Sequence, residues 1–345
     1  MRRIVFSLSL VLTLCCDAEE RALSTFEKLL LSEDFFSEGA CYADIDTDGH
    51  QDVISGPYWY AGPEFRTRHA YAATDRFPIA VYSRHFFSFA YDFNGDDKPD
   101  ILAIPMPGEP AHWFENPGTD TKDLWRKHIA LDWVGNESPT LTDLTGDGKP
   151  ELICCYQGKL VYAEPNWSAP TEVWATTAIT EDRGFGRFTH GLGVGDVNGD
   201  GRMDVLETNG WWEQPTEKGK LFTLHPIRFA ESGGAQMFTD DVDGDGDQDV
   251  ISVQNAHGYG LCWFENTNGT FQRHSILTDK PTDNPYGLSI SQMHATALAD
   301  IDGDGVNDIV TGKRFWAHGG GDPGSQELPL LYWFRNVRSP DGVHF

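Results

Sequence analysis

The sequence predicts an all-β fold assembled from repeats, and three observations carry that expectation. An acidic nonapeptide recurs six times: "DIDTDGHQD" at Asp44, "DFNGDDKPD" at Asp92, "DLTGDGKPE" at Asp143, "DVNGDGRMD" at Asp196, "DVDGDGDQD" at Asp241 and "DIDGDGVND" at Asp300. The first aspartates lie 48, 51, 53, 45 and 59 residues apart. β-Branched and aromatic runs flank the copies without helical periodicity between them. A unit of roughly 50 residues carrying four strands, repeated around a ring, makes a β-propeller. Six such repeats are visible.

Taken in order, the chain opens on "MRRIVFSLSLVLTLCCDA": two arginines, an apolar run over residues 4–14 and a small residue at Ala18. That pattern reads as a secretory signal peptide over residues 1–18, followed by a short linker at 19–25 and the propeller at 26–345. The apolar run is too short for a membrane span, and no other segment could form one. "LTLC" at 12–15 weakly matches a lipoprotein cleavage box, but Leu14 is bulky for the position before the cysteine. Export to the periplasm or beyond, without a lipid anchor, is the expectation.

Within each repeat a short first strand leads into the acidic loop, and a β-branched strand such as "DVISV" or "DIVTG" leaves it. An aromatic third strand follows ("HWFENP", "LVYAEP", "GWWEQP", "LCWFEN", "LYWFRN"), and then a fourth rich in His and Ile ("WRKHIAL", "LFTLHPI", "FQRHSIL"). Features present in every blade serve the blade. The recurrent aromatic rings, Glu115, Glu164, Glu213 and Glu265, and His128, His225 and His274 are therefore assigned to packing. Cys41, Cys154, Cys155 and Cys262 are too dispersed for a disulfide framework and read as buried thiols. Cys154 and Cys155 are adjacent on a strand and should face opposite sides. Ring closure stays open: "FEKLLLS" at 26–32 supplies the outer strand of a sixth blade, or a seventh blade is missing.

The loops place oxygen-bearing side chains at positions 1, 3, 5 and 9, with Gly at position 6 in five of six copies. Hard cations take six to eight oxygens, and Gly permits the sharp turn, so calcium is the expected ligand. The expected ligand sets are Asp44, Asp46, Asp48 and Asp52; Asp92, Asn94, Asp96 and Asp100; Asp143, Thr145, Asp147 and Glu151; Asp196, Asn198, Asp200 and Asp204; Asp241, Asp243, Asp245 and Asp249; and Asp300, Asp302, Asp304 and Asp308. The Asp92 and Asp143 copies are weaker, because Asp97 replaces Gly in one and Thr145 and Glu151 replace Asp in the other. These positions hold 21 of the 53 acidic residues, and formal net charge is -27. Six Ca²⁺ would leave about -15, which still repels nucleic acid and anionic membrane.

Through these loops the chain resembles the FG-GAP/VCBS repeat family, whose calcium loops also occur in the integrin alpha propeller. Stretches such as "EGACYADIDTDGHQDVISGPYWYAGP", "FTHGLGVGDVNGDGRMDVLETNGWWEQP" and "IVTGKRFWAHG" resemble secreted propeller proteins of planctomycete-type bacteria. Those are similar in turn to the propeller domain of fungal aldos-2-ulose dehydratase, a metal-dependent sugar lyase whose cupin domains have no counterpart here. The resemblance implies a secreted propeller acting on, or binding, carbohydrate.

Function is sought where the repeat breaks. First strands line a propeller channel and begin on the face opposite the acidic loops. Six residues before each first aspartate stand Glu38, Phe86, Glu137, His190, Ala235 and His294. Glu38, Glu137, His190 and His294 form an N/O donor set suited to Zn²⁺ or a similar divalent metal at the channel mouth. "QNAHGYG" adds His257 and Tyr259, and "GKRFWAHGGG" adds Lys313, Arg314 and His318. These five are the candidate catalytic residues, with His or Tyr moving a proton and the two cations neutralising an oxyanion. The expected chemistry is lyase- or dehydratase-like. The alternative is a non-catalytic glycan- or protein-binding module using Trp59, Trp211 and Trp212.

Overall fold

The computed structural model describes residues 26–118 and 123–345; the signal-peptide and linker expectations fall outside them. The described chain is a succession of antiparallel meanders. The first sheet joins β1 (Ala40–Ala43), β2 (Asp52–Ser55), β3 (Tyr58–Tyr60) and β4 (Arg68–Ala70), and the second joins β5 (Phe87–Tyr91), β6 (Asp100–Ile104), β7 (Glu109–Glu115) and β8 (Arg126–Val134). The third holds β9 (Thr140–Thr142), β10 (Glu151–Tyr156), β11 (Lys159–Glu164) and β12 (Ala175–Ala178). Then come β13 (Leu192–Gly195), β14 (Asp204–Glu207), β15 (Gly210–Glu213) and β16 (Thr223–Pro226), followed by β17 (Gln236–Asp240), β18 (Asp249–Val253), β19 (Leu261–Thr267) and β20 (Thr270–Leu277). Their first strands, β13 and β17, pair in parallel, fusing these two meanders into one eight-stranded sheet. The last sheet has three strands, β21 (Thr296–Ala299), β22 (Asp308–Lys313) and β23 (Leu330–Phe334), beside a separate hairpin of β24 (Val337–Ser339) and β25 (Gly342–His344). The architecture is an all-β propeller.

The last sheet departs from the expected four strands. Residues 26–32 form no strand, although the Phe26 ring meets Trp333 edge-on at 6.4 Å between centroids.

Apolar sequence explains the packing. The second strands β6, β10, β14 and β18 are buried along both faces, so they lie between neighbouring sheets. Each inter-sheet space is filled by residues of both neighbours. Leu102, Ile104 and Trp113 meet Leu152, Cys154 and Val161. Ile153, Cys155 and Leu160 face the other way, onto Leu192, Val205 and Trp212. The adjacent cysteines thus enter different cores, and the four cysteines among the described residues are free thiols. Each fully buried aliphatic side chain contributes about 1.5–3 kcal/mol.

The fourth-strand histidines serve packing as expected. Their rings stack on the cross-strand tryptophans: Trp113–His128 at 4.4 Å, Trp211–His225 at 4.1 Å and Trp263–His274 at 4.5 Å. Each Nε2 reaches a third-strand glutamate: Glu115 at 2.8 Å, Glu213 at 2.6 Å and Glu265 at 2.7 Å. A side-chain amide at the end of the third strand, or just after it, then pins the second, fourth, fifth and last meanders to the one before. Asn116 donates to Ile45 O, Gln214 to Leu144 O, Asn266 to Val197 O and Asn336 to Val242 O.

The acidic loops share one backbone. Position 6 is left-handed in each copy, with Asp97 at φ 66° as the non-glycine case, and so is position 4, where Thr47 adopts φ 58°. The first aspartate accepts loop N–H groups, as Asp44 does from Asp48 and Gly49. The ninth residue turns inward: Asp249 accepts from Val242 N at 3.0 Å and Asn266 N at 2.7 Å. Burial pushes Asp100, Asp204 and Asp249 up to about 7, against these hydrogen bonds.

Candidate functional site: an imidazole cluster where the repeat breaks

The repeat-breaking residues converge. His190 stands two residues before β13 and His294 two before β21, while His257 lies in the turn between β18 and β19. Their ring centroids are 5.2 Å (His190–His257), 5.6 Å (His190–His294) and 5.6 Å (His257–His294) apart, with interplanar angles of 81°, 67° and 83°. One nitrogen from each ring lies within 4.8 Å of the others. Glu137, three residues before β9, adds Oε2 at 3.1 Å from His190 Nε2 and 4.0 Å from His294 Nε2.

Tautomers follow from the partners. A carbonyl only accepts, so His294 Nδ1–H donates to Gln292 O at 3.1 Å, leaving the Nε2 lone pair free. His294 Nε2 and His190 Nε2 are both buried without a hydrogen-bond partner. The His190 atom is near Glu137 but out of line for a hydrogen bond. Burial lowers His294 to about 4, so it is neutral at physiological pH. Burial alone would raise Glu137, but His190, His294 and His318 together hold it below its ordinary value.

Asp322 joins this cluster from the Gly-rich loop after β22. Its Oδ2 lies 2.9 Å from His257 Nδ1 and 2.6 Å from His318 Nδ1. Burial works to raise Asp322, yet the two histidines outweigh it and keep the carboxylate ionised. It therefore accepts from both rings and fixes their orientation.

Other expected residues have different employment. Glu38 pairs with Arg314 Nη1 at 3.0 Å and accepts from Ser83 N at 3.1 Å and from Ser83 Oγ, tying the first, second and last repeats together. Arg314 is thus committed to a carboxylate. Lys313 is inside the protein, its Nζ donating to Gly324 O at 2.8 Å and to Glu327, and it braces the loop rather than joining the imidazoles. Tyr259 bridges Ser291 through its backbone, and among the described residues no side-chain contact links it to the imidazoles. Phe86 and Ala235, at the equivalent register, are buried and apolar.

Two residues beside the imidazoles carry little or no signal in the sequence. Asp322 carried a faint signal, four residues after His318 in a loop that breaks the repeat. Tyr82 carried none, lying in the irregular β4–β5 connector; its ring meets His318 edge-on at 6.1 Å between centroids. Burial, and then Glu137, raise its phenol.

The FG-GAP-like repeat profile matches residues 92–154, 143–207 and 241–311, more than half of the chain. This protein belongs to the FG-GAP-like repeat family. Among solved structures, the FG-GAP-like chain is similar to an Agrocybe aegerita lectin that recognises non-reducing terminal N-acetylglucosamine. Identity is 17%, coverage 85% of this chain and 84% of that one, and the TM-score 0.52, a likeness of fold. It also matches a V. cholerae biofilm matrix protein (18% identity, 72% of this chain, 37% of that one, TM-score 0.40). A rhamnogalacturonan lyase matches at 14% identity, covering 85% of this chain and 57% of that one, with a TM-score of 0.43. Curated protein sequences yield no match. No helix among the described residues is long and apolar enough to cross a membrane.

Proposed function

We propose that this FG-GAP-like propeller holds one divalent transition metal at its channel mouth and processes carbohydrate there, in a lyase- or dehydratase-like reaction. The observation that carries the reading is the trio His190, His257 and His294. A tetrahedral ion about 2.1 Å from each nitrogen would set imidazole centroids roughly 5 Å apart, close to the separations found. Two partnerless buried Nε2 atoms and a neutral His294 fit the same role. Glu137 supplies the carboxylate donor, and Asp322 orients His257 as acidic partners orient metal-bound histidines. Glu38, spent on Arg314 and Ser83, leaves the ligand set. Bound there, the ion would polarise a sugar hydroxyl or carbonyl. His318, its Nδ1 held by Asp322, moves the proton. Carbohydrate as substrate rests on the resemblance to a sugar lyase propeller.

Calcium in the acidic loops, a ring of six repeats and export of the chain belong to the same proposal. In its support, the carboxylates of Asp44, Asp46 and Asp48, and of Asp241, Asp243 and Asp245, gather within 4.8 Å of one another. Metal analysis of wild type and of the double variant His190→Ala, His294→Ala tests the site. Wild type should carry about one transition ion per chain and the folded variant almost none. Neutral and acidic polysaccharides incubated with wild type should then yield an ultraviolet-absorbing unsaturated product. Metal retained by the variant overturns the ligand set; glycan binding without turnover favours the binding-module alternative.

A further inference from the structure

We infer that Tyr82 is the residue that meets the bound sugar across from the imidazoles, its phenol donating a hydrogen bond to a hydroxyl or carbonyl oxygen. The inference rests on the mouth being a metal-dependent glycan site. The ring is immobilised on three sides: against Phe86 at 5.4 Å, edge-on to His318 at 6.1 Å, and beneath the Arg314 guanidinium at 5.6 Å. Arg314 is itself fixed by Glu38 and donates to Ile79 O at 3.4 Å, so the connector carrying Tyr82 is strapped to the last sheet.

The oxygen, by contrast, is uncommitted. Tyr71 and Tyr286 donate to Gly56 O at 2.7 Å and Phe345 O at 2.5 Å, whereas the Tyr82 hydroxyl has no hydrogen-bond partner among the described residues. A half-buried phenol ordinarily finds one. A fixed ring with a free hydroxyl beside His318, within the field of Glu137 and Asp322, is what a polyhydroxylated ligand requires. Ile79 and Val81, 61% and 47% exposed, flank it and offer apolar surface to the C–H face of a sugar ring.

The test uses the full chain loaded with Zn²⁺ and glycolohydroxamate as probe, a small molecule with a chelating oxygen pair and a free hydroxyl. Affinity is measured by calorimetry, metal content by mass spectrometry and fold by thermal melting. Tyr82→Phe should keep its zinc and its melting temperature and bind the probe about tenfold more weakly, as loss of one hydrogen bond to a polarised oxygen predicts. Affinity within about twofold of wild type overturns the inference, as does loss of zinc from the variant, which would make Tyr82 a structural support. Zinc-loaded wild type that ignores the probe also overturns it while leaving the metal reading intact. Wild type that takes up no transition metal sinks both.

Discussion

His257 Nδ1 lies 2.9 Å from Asp322 Oδ2, joining a turn of the fifth sheet to the loop of the last. That contact fixes the orientation of the His257 ring beside His190 and His294. Asp322→Asn removes the charge and allows the ring to turn. The transition-metal affinity of the variant should fall 10- to 100-fold with little change in melting temperature, measured by competition with a chromogenic chelator.

Calcium should hold the propeller together. Each acidic loop crowds three or four carboxylates, which repel one another without a cation. The melting temperature in excess EGTA should fall well below that in millimolar Ca²⁺. Equal midpoints would remove calcium from the loops.

A pH dependence follows for the chelated protein. Burial raises Asp100, Asp204 and Asp249 to about 7 in the folded state, while the unfolded value is about 3.9. A group whose folded value is raised contributes stability that is complete below the unfolded value and is lost as pH rises through the folded one. In EGTA the protein should therefore melt higher near pH 5 than near pH 8. Saturating Ca²⁺ favours the ionised carboxylates and should shrink or reverse the difference.

Asn266 anchors the fifth meander to the fourth, donating to Val197 O at 3.3 Å, and also donates to Gln248 O at 3.0 Å within its own meander. Asn266→Ala leaves one buried and one half-buried carbonyl without that donor. A loss of about 1–3 kcal/mol in denaturant unfolding is expected.

Thr47 is a β-branched residue held at φ 58° where all five sister loops have Gly. Thr47→Gly relieves a left-handed conformation costing about 1–2 kcal/mol, offset in part by the entropy of glycine in the unfolded chain. A net gain near 1 kcal/mol should appear as a higher melting temperature in Ca²⁺.

The repeat, strand order and packing role of His128, His225 and His274 were legible because each recurs, and recurrence separates blade residues from the rest. The cluster was legible in part for the opposite reason: His190, His294 and His257 interrupt the pattern. Register alone could not tell which interrupting side chains meet. Glu38 occupies the expected position, but Arg314, 276 residues away in sequence, claims its carboxylate. Lys313 looks catalytic in sequence because its burial depends on where Glu327 and Gly324 fold back. Tyr82 was invisible because a non-repeating connector has no register to read.

The parallel pairing of β13 with β17 needs backbones that nearly touch, and a Cβ at Gly193 would collide with the Met237 backbone. The two meanders it fuses should open together, their central amides among the slowest to exchange with deuterated solvent. His190 stands at the head of this slow unit, whereas Asp322 rides a loop that should exchange early. The imidazole cluster is thus held by a slowly opening frame on one side and by a loop of lower local stability on the other.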